Sequence, residues 1–480
     1  FEWPLFFVTK FIKKELDNVK WTCTIPHLTS PHLTSPHRNH NFILSTVLIL
    51  IASVIIGTVL MFVAYSLPVE PMRKNVAKSI DMMMKEGGRN SWAALTLGNP
   101  YSIADGFTDS LMLNIATFKN NEYSSKIQNA MSNPFLSYEN AGNNSNPPYT
   151  ERTSTTENLY NSLKNKNEDK MFVNTYSRYW HGYLIILKPL LIFFSVSSLR
   201  ILNFVTQFLI ISLIILKLAE VTNSKYSLAF SISLLTIDPI STAVCFQYST
   251  VFYICLLSIL IILFKNNSLL TSKKYFDFFM IVGICTSFFD FLTYPFASLG
   301  FPTIFFLLIN KDIGLKNKIY KMLKFALAWG IGYIGMWFGK WIVASIVTNE
   351  NVILNGLNSV IFRINGVRAD YGGAITWEWA FSHFKDIKGF QTIIFMFFVS
   401  VFVTFFSLFV SLRKHNISLK EILPLVLVSL YPFIWYAIVQ NHTIIHYFFT
   451  HKLLSVTVFA VLCIIIKCTG DKNFNAQQIR

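Results

Sequence analysis

Long uninterrupted apolar runs are the feature that most constrains how this chain folds. The first extends from Phe42 to Leu67, and others recur through the second half of the sequence. About 18 to 25 apolar residues in a helix cross the roughly 30 Å of hydrocarbon in a bilayer. The chain is 53% hydrophobic and only 14% charged, whereas soluble domains carry roughly a quarter charged residues. The sequence therefore predicts an all-α integral membrane protein.

The loops between the apolar runs are rich in basic residues, and this pattern orients the helices. Treating the short stretch 183–196 as an interfacial or re-entrant helix leaves about ten spans. The loops near 265–274, 311–324 and 413–420 then face the cytoplasm of a cell-membrane protein, as do both termini. The predicted spans are 42–67, 200–217, 227–247, 250–264, 276–290, 297–310, 325–347, 391–412, 422–439 and 453–467.

This topology divides the chain into five parts. Residues 1–41 form a basic cytoplasmic tail with a tandem PHLTS repeat, and 42–67 is the first span. Residues 68–199 form a large first extracytoplasmic loop that includes the interfacial helix, and 200–467 form the multi-helix membrane domain. Residues 468–480 form a second cytoplasmic tail. The formal net charge of +16 suits loops beside anionic membrane lipids, so we expect no nucleic-acid partner.

Two acids in the first outer loop are the candidate catalytic residues. Asp105 and Asp109 stand four residues apart, so a helical segment places both side chains on one side. One carboxylate then acts as general base on an acceptor hydroxyl, or it binds a divalent cation beside a lipid phosphate. The alternative without a function is helix capping by Asp105, with Asp109 exposed.

Ionisable residues near the membrane boundary form a second set of candidates. Asp290 ends a predicted span, and Asp238 precedes a proline that interrupts another. Acids at membrane depth indicate a substrate or ion site, although a helix-end carboxylate and a plain kink are the alternatives. Arg178 and His181 flank two aromatic residues before the interfacial stretch. There they bind a phosphate and a sugar, or the segment only anchors the chain at the headgroups.

Arginines and histidines in the later outer loops complete the candidate binding residues. Arg363 and Arg368 lie outside, against the positive-inside trend, and suit a phosphate or pyrophosphate leaving group unless they are simply solvated. His442 and His446 share one helical face and suit a phosphate or an acceptor. This pair lacks the third ligand and the Glu of a zinc protease, so we expect no metal ligands.

These features together resemble the GT-C class of membrane glycosyltransferases. The resemblance covers most of the chain and rests on three patterns beside the layout. They are Asp105 and Asp109 in the first outer loop, Arg178-Tyr-Trp-His-Gly-Tyr before the interfacial stretch, and Asn441-His442 before the last span. The resemblance implies a bacterial enzyme with a polyprenyl-phosphate sugar donor and an envelope glycan acceptor. Asp105 or Asp109 then deprotonates the acceptor, and the outer arginines or histidines stabilise the departing lipid phosphate.

Several alternatives stay open beside this interpretation. Glu70 occupies the place directly after the first span where many GT-C enzymes have their acid. With no P-loop and no GxGxxG turn, we expect no soluble cofactor, while a divalent cation stays open. A lipid-linked glycan polymerase or ligase uses outer arginines in a similar way. A transporter or flippase instead uses Asp238, Asp290 and Lys340 as a path within the membrane.

Overall fold

The computed structural model of the chain consists almost entirely of helices. It describes residues 36–87, 92–94, 103–119, 124–138, 154–164, 170–269, 272–365 and 419–469, with short pieces between 367 and 409. The chain divides into two compact units, Phe1–Val47 and Leu48–Arg480. In the first unit the described residues form the start of one helix. The basic tail with its PHLTS repeat lies outside the described residues.

Among the described residues are twenty α-helices, the 3₁₀ helix His451–Leu453 and six short strands. The helices before residue 236 are α1 (Pro36–Ser66), α2 (Val69–Ala77), α3 (Ile80–Gly87), α4 (Gly106–Ala116), α5 (Lys126–Ser132), α6 (Thr155–Leu163), α7 (Leu184–Phe193), α8 (Val196–Val221) and α9 (Ser224–Leu235). Those after it are α10 (Pro239–Val244), α11 (Phe246–Leu269), α12 (Ser272–Phe289), α13 (Ala297–Ile309), α14 (Leu315–Thr348), α15 (Val352–Asn365), α16 (Leu419–Ser429), α17 (Tyr431–Ile438), α18 (Gln440–Ile445), α19 (Tyr447–Thr450) and α20 (Leu454–Thr469). The strands form antiparallel pairs: β1 (Trp92–Ala94) with β2 (Ile103–Asp105), β3 (Phe135–Ser137) with β4 (Phe172–Asn174), and β5 (Val367–Arg368) with β6 (Gly373–Ala374).

Six described helical stretches are long and apolar enough to cross a bilayer, which indicates an all-α membrane protein. They are Phe42–Ser66, Val196–Val221, Phe246–Leu269, Leu315–Thr348, Lys420–Ile438 and Tyr447–Thr469. The predicted count of about ten spans is not confirmed. The predicted span 227–247 corresponds to two helices, α9 and α10. The predicted span 276–290 corresponds to α12, which has three charged residues near its start, and 297–310 corresponds to the short helix α13. Half of the prediction 391–412 falls outside the described residues, and its first part forms the short apolar helix Ile394–Val403.

A break separates α9 from α10, as the Asp238-Pro239 pair predicts. α9 ends at Leu235, and α10 begins at Pro239, whose missing N–H and fixed φ suit the first turn of a helix. Asp238 caps α10, because its carboxylate accepts the backbone N–H of Ser241 at 3.3 Å. The backbone of Asp238 is in the left-handed region, with φ 52°.

The core of the helical bundle is aromatic. Rings of Phe230, Phe301, Phe305 and Phe459, from α9, α13 and α20, pack with centroids 5.3 to 5.9 Å apart. Such edge and offset contacts add to the free energy of burying large side chains.

Glycines let α12 and α14 cross with their backbones in contact. A side chain at Gly332 would meet the Met280 carbonyl oxygen at 2.1 Å. A side chain at Gly283 would meet the Trp329 carbonyl oxygen at the same distance. Small residues serve this purpose in membrane helices, where tight van der Waals packing replaces the hydrophobic effect. The crossing fixes the end of α12, from which the Asp290 turn emerges.

The segment between α1 and α8 is a layer of short helices tied together at their C-terminal ends. Arg73 of α2 donates to the carbonyl oxygens of Thr117 at 3.2 Å and Ser162 at 2.5 Å, just after α4 and near the end of α6. The last carbonyls of a helix lack partners within the helix and carry partial negative charge, so a cation stabilises them.

Two buried lysines repeat this arrangement. Lys188 of α7 donates to the carbonyl oxygen of Ala116, and Lys340 of α14 donates to that of Met131, each at 2.8 Å. Each ammonium also lies over an aromatic ring. α7 itself is a ten-residue helix that contains a proline, so it is too short to cross a bilayer. Its ammonium therefore ties the predicted interfacial helix to the end of α4.

Candidate functional site

Asp290 stands in a tight turn directly after α12. Its carboxylate accepts the backbone N–H of Thr293 at 3.0 Å and also the Thr293 hydroxyl. Burial raises the pKa of Asp290 to about 6, and the hydrogen bonds from Thr293 oppose the rise. Near neutral pH this carboxylate is therefore mostly ionised and close enough in pKa to accept a proton in catalysis.

The same turn carries an unusual backbone at Leu292. Leu292 has φ 69°, a left-handed conformation that is a genuine outlier for a large side chain. Its carbonyl oxygen lies 2.6 Å from Nε2 of His442, which belongs to α18. Strained residues persist where the surrounding structure holds them, and they concentrate at functional sites. The strained turn thus joins Asp290 to the predicted histidine pair.

His442 is a neutral imidazole with a fixed tautomer. A carbonyl oxygen only accepts, so Nε2 of His442 carries the hydrogen that is donated to Leu292. Burial, the charge of Arg363 and the neighbouring His446 hold the pKa of His442 well below its ordinary value. Nδ1 therefore keeps a free lone pair inside the protein, where it is available to accept a hydrogen bond.

Arg363 of α15 meets the second histidine. Its Nη1 donates to Nε2 of His446 at 3.2 Å, and the rings of His442 and His446 lie 4.7 Å apart. α15 packs on α18, which explains how residues about 80 positions apart come together. The planar guanidinium group of an arginine suits a phosphate oxygen.

Tyr179 links this arrangement to the segment before α7. The guanidinium of Arg178 lies over the rings of Tyr176 and Tyr179, at 4.6 and 5.7 Å from their centroids. Burial raises the pKa of Tyr179 most, and its neighbours Tyr176 and Asp290 raise it further. The positive charges of Arg363 and Arg178 oppose this rise in the pKa. Tyr179 therefore lies within electrostatic reach of both Arg363 and Asp290. We call Arg178, Tyr179, Asp290, Arg363, His442 and His446 the Asp290 cluster.

His181 stabilises the segment that carries Arg178 and Tyr179 of the Asp290 cluster. Its Nε2 lies 3.2 Å from the Tyr176 carbonyl oxygen and its Nδ1 lies 3.1 Å from the Tyr183 hydroxyl. The next residue, Gly182, donates its backbone N–H to the Phe288 carbonyl oxygen at 2.9 Å. A side chain at Gly182 would meet the Phe288 ring at 2.3 Å, so only glycine fits there. His181 thus positions the segment against the end of α12.

Buried polar atoms beside the Asp290 cluster have no hydrogen-bond partner among the described residues. They are both amide atoms of Asn441, Nδ1 of His442 and Nε of Arg363. Asn441 has an exposed fraction of 0%. Most buried polar atoms in native structures are paired with protein groups or ordered water, so these atoms can accept or donate hydrogen bonds to a water molecule or a polar ligand.

The predicted catalytic acids belong to a different group of residues. Asp105 caps α4 by accepting the backbone N–H of Thr108 at 3.0 Å. Asp109 accepts the backbone N–H groups of Phe246 and Gln247, each at 3.1 Å, at the start of α11. The predicted capping by Asp105 is confirmed, whereas the alternative of an exposed Asp109 is wrong because its exposed fraction is only 1%.

Asp109 is buried beside an ion pair that also lies in this part of the protein. Burial raises the pKa of Asp109 to about 7, and the positive charge of Arg200 opposes the rise. Arg200 itself pairs with Glu86 at 2.7 Å. We call Glu86, Asp105, Asp109 and Arg200 the Asp109 cluster. Since two backbone N–H groups hold its oxygens, Asp109 anchors α4 to the positive end of α11.

Two remaining predictions concern Arg368 and metal ligands. Arg368 belongs to strand β5, and its side chain lies outside the described residues. Among the described residues, no group of three or more histidine, cysteine, aspartate or glutamate side chains is arranged to hold a metal ion.

Sequence reasoning missed three features of these clusters. Leu292 gives no signal in the sequence, because its backbone strain arises from packing. Glu86 and Arg200 lie far apart in the chain, although an arginine at the very start of an apolar run was a usable signal. Asn441 appeared only as a neighbour of the first histidine, and its burial without partners becomes evident only in three dimensions.

Comparison with known proteins adds no name to this geometry. No family model, no curated protein and no solved structure matches the chain. The function is therefore argued from the residues of the two clusters.

Proposed function

We propose that this protein is a glycosyltransferase of the cell membrane that uses a polyprenyl-phosphate sugar as donor and an extracytoplasmic envelope glycan as acceptor. The supporting observation is the Asp290 cluster, in which a carboxylate, an arginine and two histidines from three distant segments meet beside unpaired polar atoms. A membrane-anchored substrate with a charged phosphate and a hydroxyl-rich sugar suits such a cluster at the edge of a helical bundle.

Asp290, Arg363 and His442 of the Asp290 cluster, and Asn441 beside it, each have a role in this proposal. Asp290 takes the proton of the acceptor hydroxyl, the acceptor oxygen forms a bond to the anomeric carbon, and the bond from that carbon to the phosphate oxygen breaks. Arg363 neutralises the charge that develops on the departing lipid phosphate, and this preorganised charge lowers the barrier. Nδ1 of His442 and the Asn441 amide offer hydrogen bonds to sugar hydroxyls.

This assignment moves the proposed base from the first outer loop to Asp290. Asp109 remains the alternative base, because a carboxyl with a pKa of about 7 also suits proton transfer. Asp290 is favoured because its turn meets the histidine pair and Arg363, which suit a sugar and a phosphate. In the proposed mechanism the Asp109 cluster positions α4 and α11 around the site.

The test is transfer by purified protein in liposomes, with a panel of polyprenyl-phosphate hexoses as donors and envelope glycan as acceptor. We expect Asp290→Asn to lower the rate of polyprenyl-phosphate release by about 10²- to 10⁴-fold, the usual contribution of a general base. Asp277→Asn, on the helix α12 that precedes the Asp290 turn, is the matched control and should keep the wild-type rate. Arg363→Gln should slow transfer more strongly than it weakens donor binding, since its charge acts in the transition state.

The outcomes separate the competing assignments. Full activity of Asp290→Asn together with loss of activity in a normally folded Asp109→Asn protein returns the base to the Asp109 cluster. Absence of transfer from every donor, with unchanged envelope glycans in cells that lack the protein, contradicts a glycosyltransferase.

A transporter is the second candidate function, because the break at Asp238 interrupts a helix in the membrane domain. In that case Asp238→Asn should abolish movement of the substrate across the membrane, while Asp290→Asn leaves it intact. Measurement of donor translocation into sealed vesicles distinguishes the two functions.

A further inference from the structure

The break between α9 and α10 gathers oxygen atoms inside the helical bundle. The Ile237 carbonyl oxygen has left the helix and accepts the Thr242 hydroxyl at 3.1 Å. The Ser241 hydroxyl donates to the Asp238 carbonyl oxygen at 3.1 Å, so its own oxygen has lone pairs left to accept. Carbonyl and hydroxyl oxygens at an unwound helix are the groups that coordinate small cations within membrane proteins.

Lys452 fills the centre of this group. Its side chain is fully buried, and its Nζ donates to the Ile237 carbonyl oxygen at 2.6 Å and to the Ser241 hydroxyl oxygen at 2.7 Å. The ammonium also lies 4.7 Å from the ring centroid of Tyr248, within the range of a cation–π contact. Lys452 precedes α20, so the side chain enters the break from another part of the chain.

Asp238 supplies the opposite charge without a direct ion pair. Its carboxylate interacts electrostatically with Lys452, and one of its oxygens, Oδ2, is buried with no hydrogen-bond partner among the described residues. An unpaired carboxylate oxygen in a dry environment is costly unless a cation lies nearby. The ammonium and the carboxylate therefore stabilise each other across the break.

We propose that the break between α9 and α10 is a monovalent-cation site whose cation is the protein's own Lys452 ammonium. Two oxygen ligands, an aromatic ring face and a nearby carboxylate surround the charge, as they would surround a bound ammonium ion. Because the cation is covalently attached, the site is filled at every salt concentration. This inference does not depend on the glycosyltransferase proposal. It implies that the break between α9 and α10 is stable without an ion from solution.

The proposal predicts chemical rescue of a shortened side chain. Lys452→Ala leaves the oxygens and Asp238 in place and opens a space for a small ammonium ion. Methylammonium carries N–H donors for the same two oxygens, whereas choline has no N–H donor and is too large. Added ligand stabilises the protein only if it binds the folded state.

The experiment measures the melting temperature of the purified full-length protein in lipid nanodiscs, in chloride salts of methylammonium or choline at equal ionic strength. We expect Lys452→Ala to melt roughly 5 to 10 °C lower than wild type in choline and to recover part of this loss in methylammonium. Wild type and Lys467→Ala, the matched control at the other end of α20, should melt equally in both salts. Equal melting of Lys452→Ala in the two salts overturns the proposal.

A second comparison covers the case in which Lys452→Ala does not accumulate. Wild type, Lys452→Met, Asp238→Asn and Lys452→Met/Asp238→Asn are compared for folded yield and melting temperature. If the ammonium balances the Asp238 charge, the double variant is more stable than Lys452→Met alone, and the two substitutions are not additive. Additive losses would show that Lys452 is not the counter-charge of this site and would also overturn the proposal.

Discussion

The segment between α1 and α8 and the Asp290 cluster both bury polar side chains, yet they differ in how these side chains are paired. Arg73, Lys188 and Lys340 each donate to a carbonyl oxygen at or near the end of a short helix. Asn441 and His442 are equally buried, but both amide atoms of Asn441 and one ring nitrogen of His442 have no partner among the described residues.

The difference separates structural from functional polar groups. A buried polar group whose partners lie within the protein stabilises the fold, since the cost of leaving water is offset by hydrogen bonds. A buried polar group without partners lowers stability and is expected where a ligand supplies the missing bonds. Substitutions in the two regions should therefore change stability with opposite sign.

The largest effect is expected at Arg73. Arg73→Met removes the charged donor of the Thr117 and Ser162 carbonyl oxygens. A hydrogen bond from a charged group contributes roughly 1.5 to 3 kcal/mol, so we expect a loss of roughly 3 to 5 kcal/mol. Lys74→Met, one residue later and exposed, is the matched control and should change the free energy of unfolding by less than about 0.5 kcal/mol. Urea or thermal unfolding in nanodiscs measures both. Equal free energies of unfolding for Arg73→Met and Lys74→Met would show that the buried bonds of Arg73 do not stabilise the fold.

The next effect concerns the pH dependence contributed by Asp109. Its pKa of about 7 in the folded state exceeds the ordinary value of 3.8, so the folded protein holds a proton that the unfolded chain has lost. The free energy of unfolding of wild type, relative to Asp109→Asn, should therefore fall by up to about 4 kcal/mol as the pH rises from about 4 through about 7.

Thermal unfolding across this pH range measures the Asp109 effect. Asp81→Asn, on the exposed side of α3, is the matched control for loss of one negative charge. A constant difference between wild type and Asp109→Asn at all pH values would show that the two backbone N–H groups offset burial completely.

The smallest expected effect concerns two buried asparagines, whose replacement should change the free energy of unfolding in opposite directions. Asn114 has partners for both ends of its amide, at the Leu136 carbonyl oxygen (2.8 Å) and the Leu136 backbone N–H (3.1 Å). Asn114→Leu should cost about 2 kcal/mol, whereas Asn441→Leu should be neutral or should stabilise by about 1 kcal/mol. Asn441→Leu should also lower sugar transfer.

The two asparagine variants are compared by melting temperature and by the liposome transfer assay. Because both replace a buried asparagine by the same residue, differences in size and propensity cancel. Destabilisation of equal size in both variants would contradict the assignment of Asn441 to a ligand-binding site.

The sequence predicted the parts of this molecule that depend on local chemistry. Apolar runs predicted the positions of the long helices. The Asp238-Pro239 pair predicted the helix break, and capping by Asp105 predicted the start of α4. Each follows from neighbouring residues alone, through hydrocarbon length, proline geometry or side-chain capping.

Contacts between distant segments were beyond sequence reasoning. The partners of Asp109 are backbone N–H groups, which every residue possesses, so no pattern identifies Phe246 or Gln247 as its anchor. The count of about ten spans is not confirmed, because an apolar run in a sequence does not reveal whether its helix is broken or short. The predicted residues Arg178, Asp290, Arg363, His442 and His446 do lie together, but their roles remain proposals.

The length of α14 has a consequence for the lipids around the protein. Its 34 residues extend about 51 Å, whereas the hydrocarbon of a bilayer is about 30 Å thick. A helix that exceeds the hydrocarbon adjusts its tilt to the local thickness. Near its far end Trp341 donates to the Arg178 carbonyl oxygen at 3.0 Å, so tilting moves the segment that carries Arg178. A change in acyl-chain length is therefore expected to shift the segment that carries Arg178 relative to the lipid headgroups.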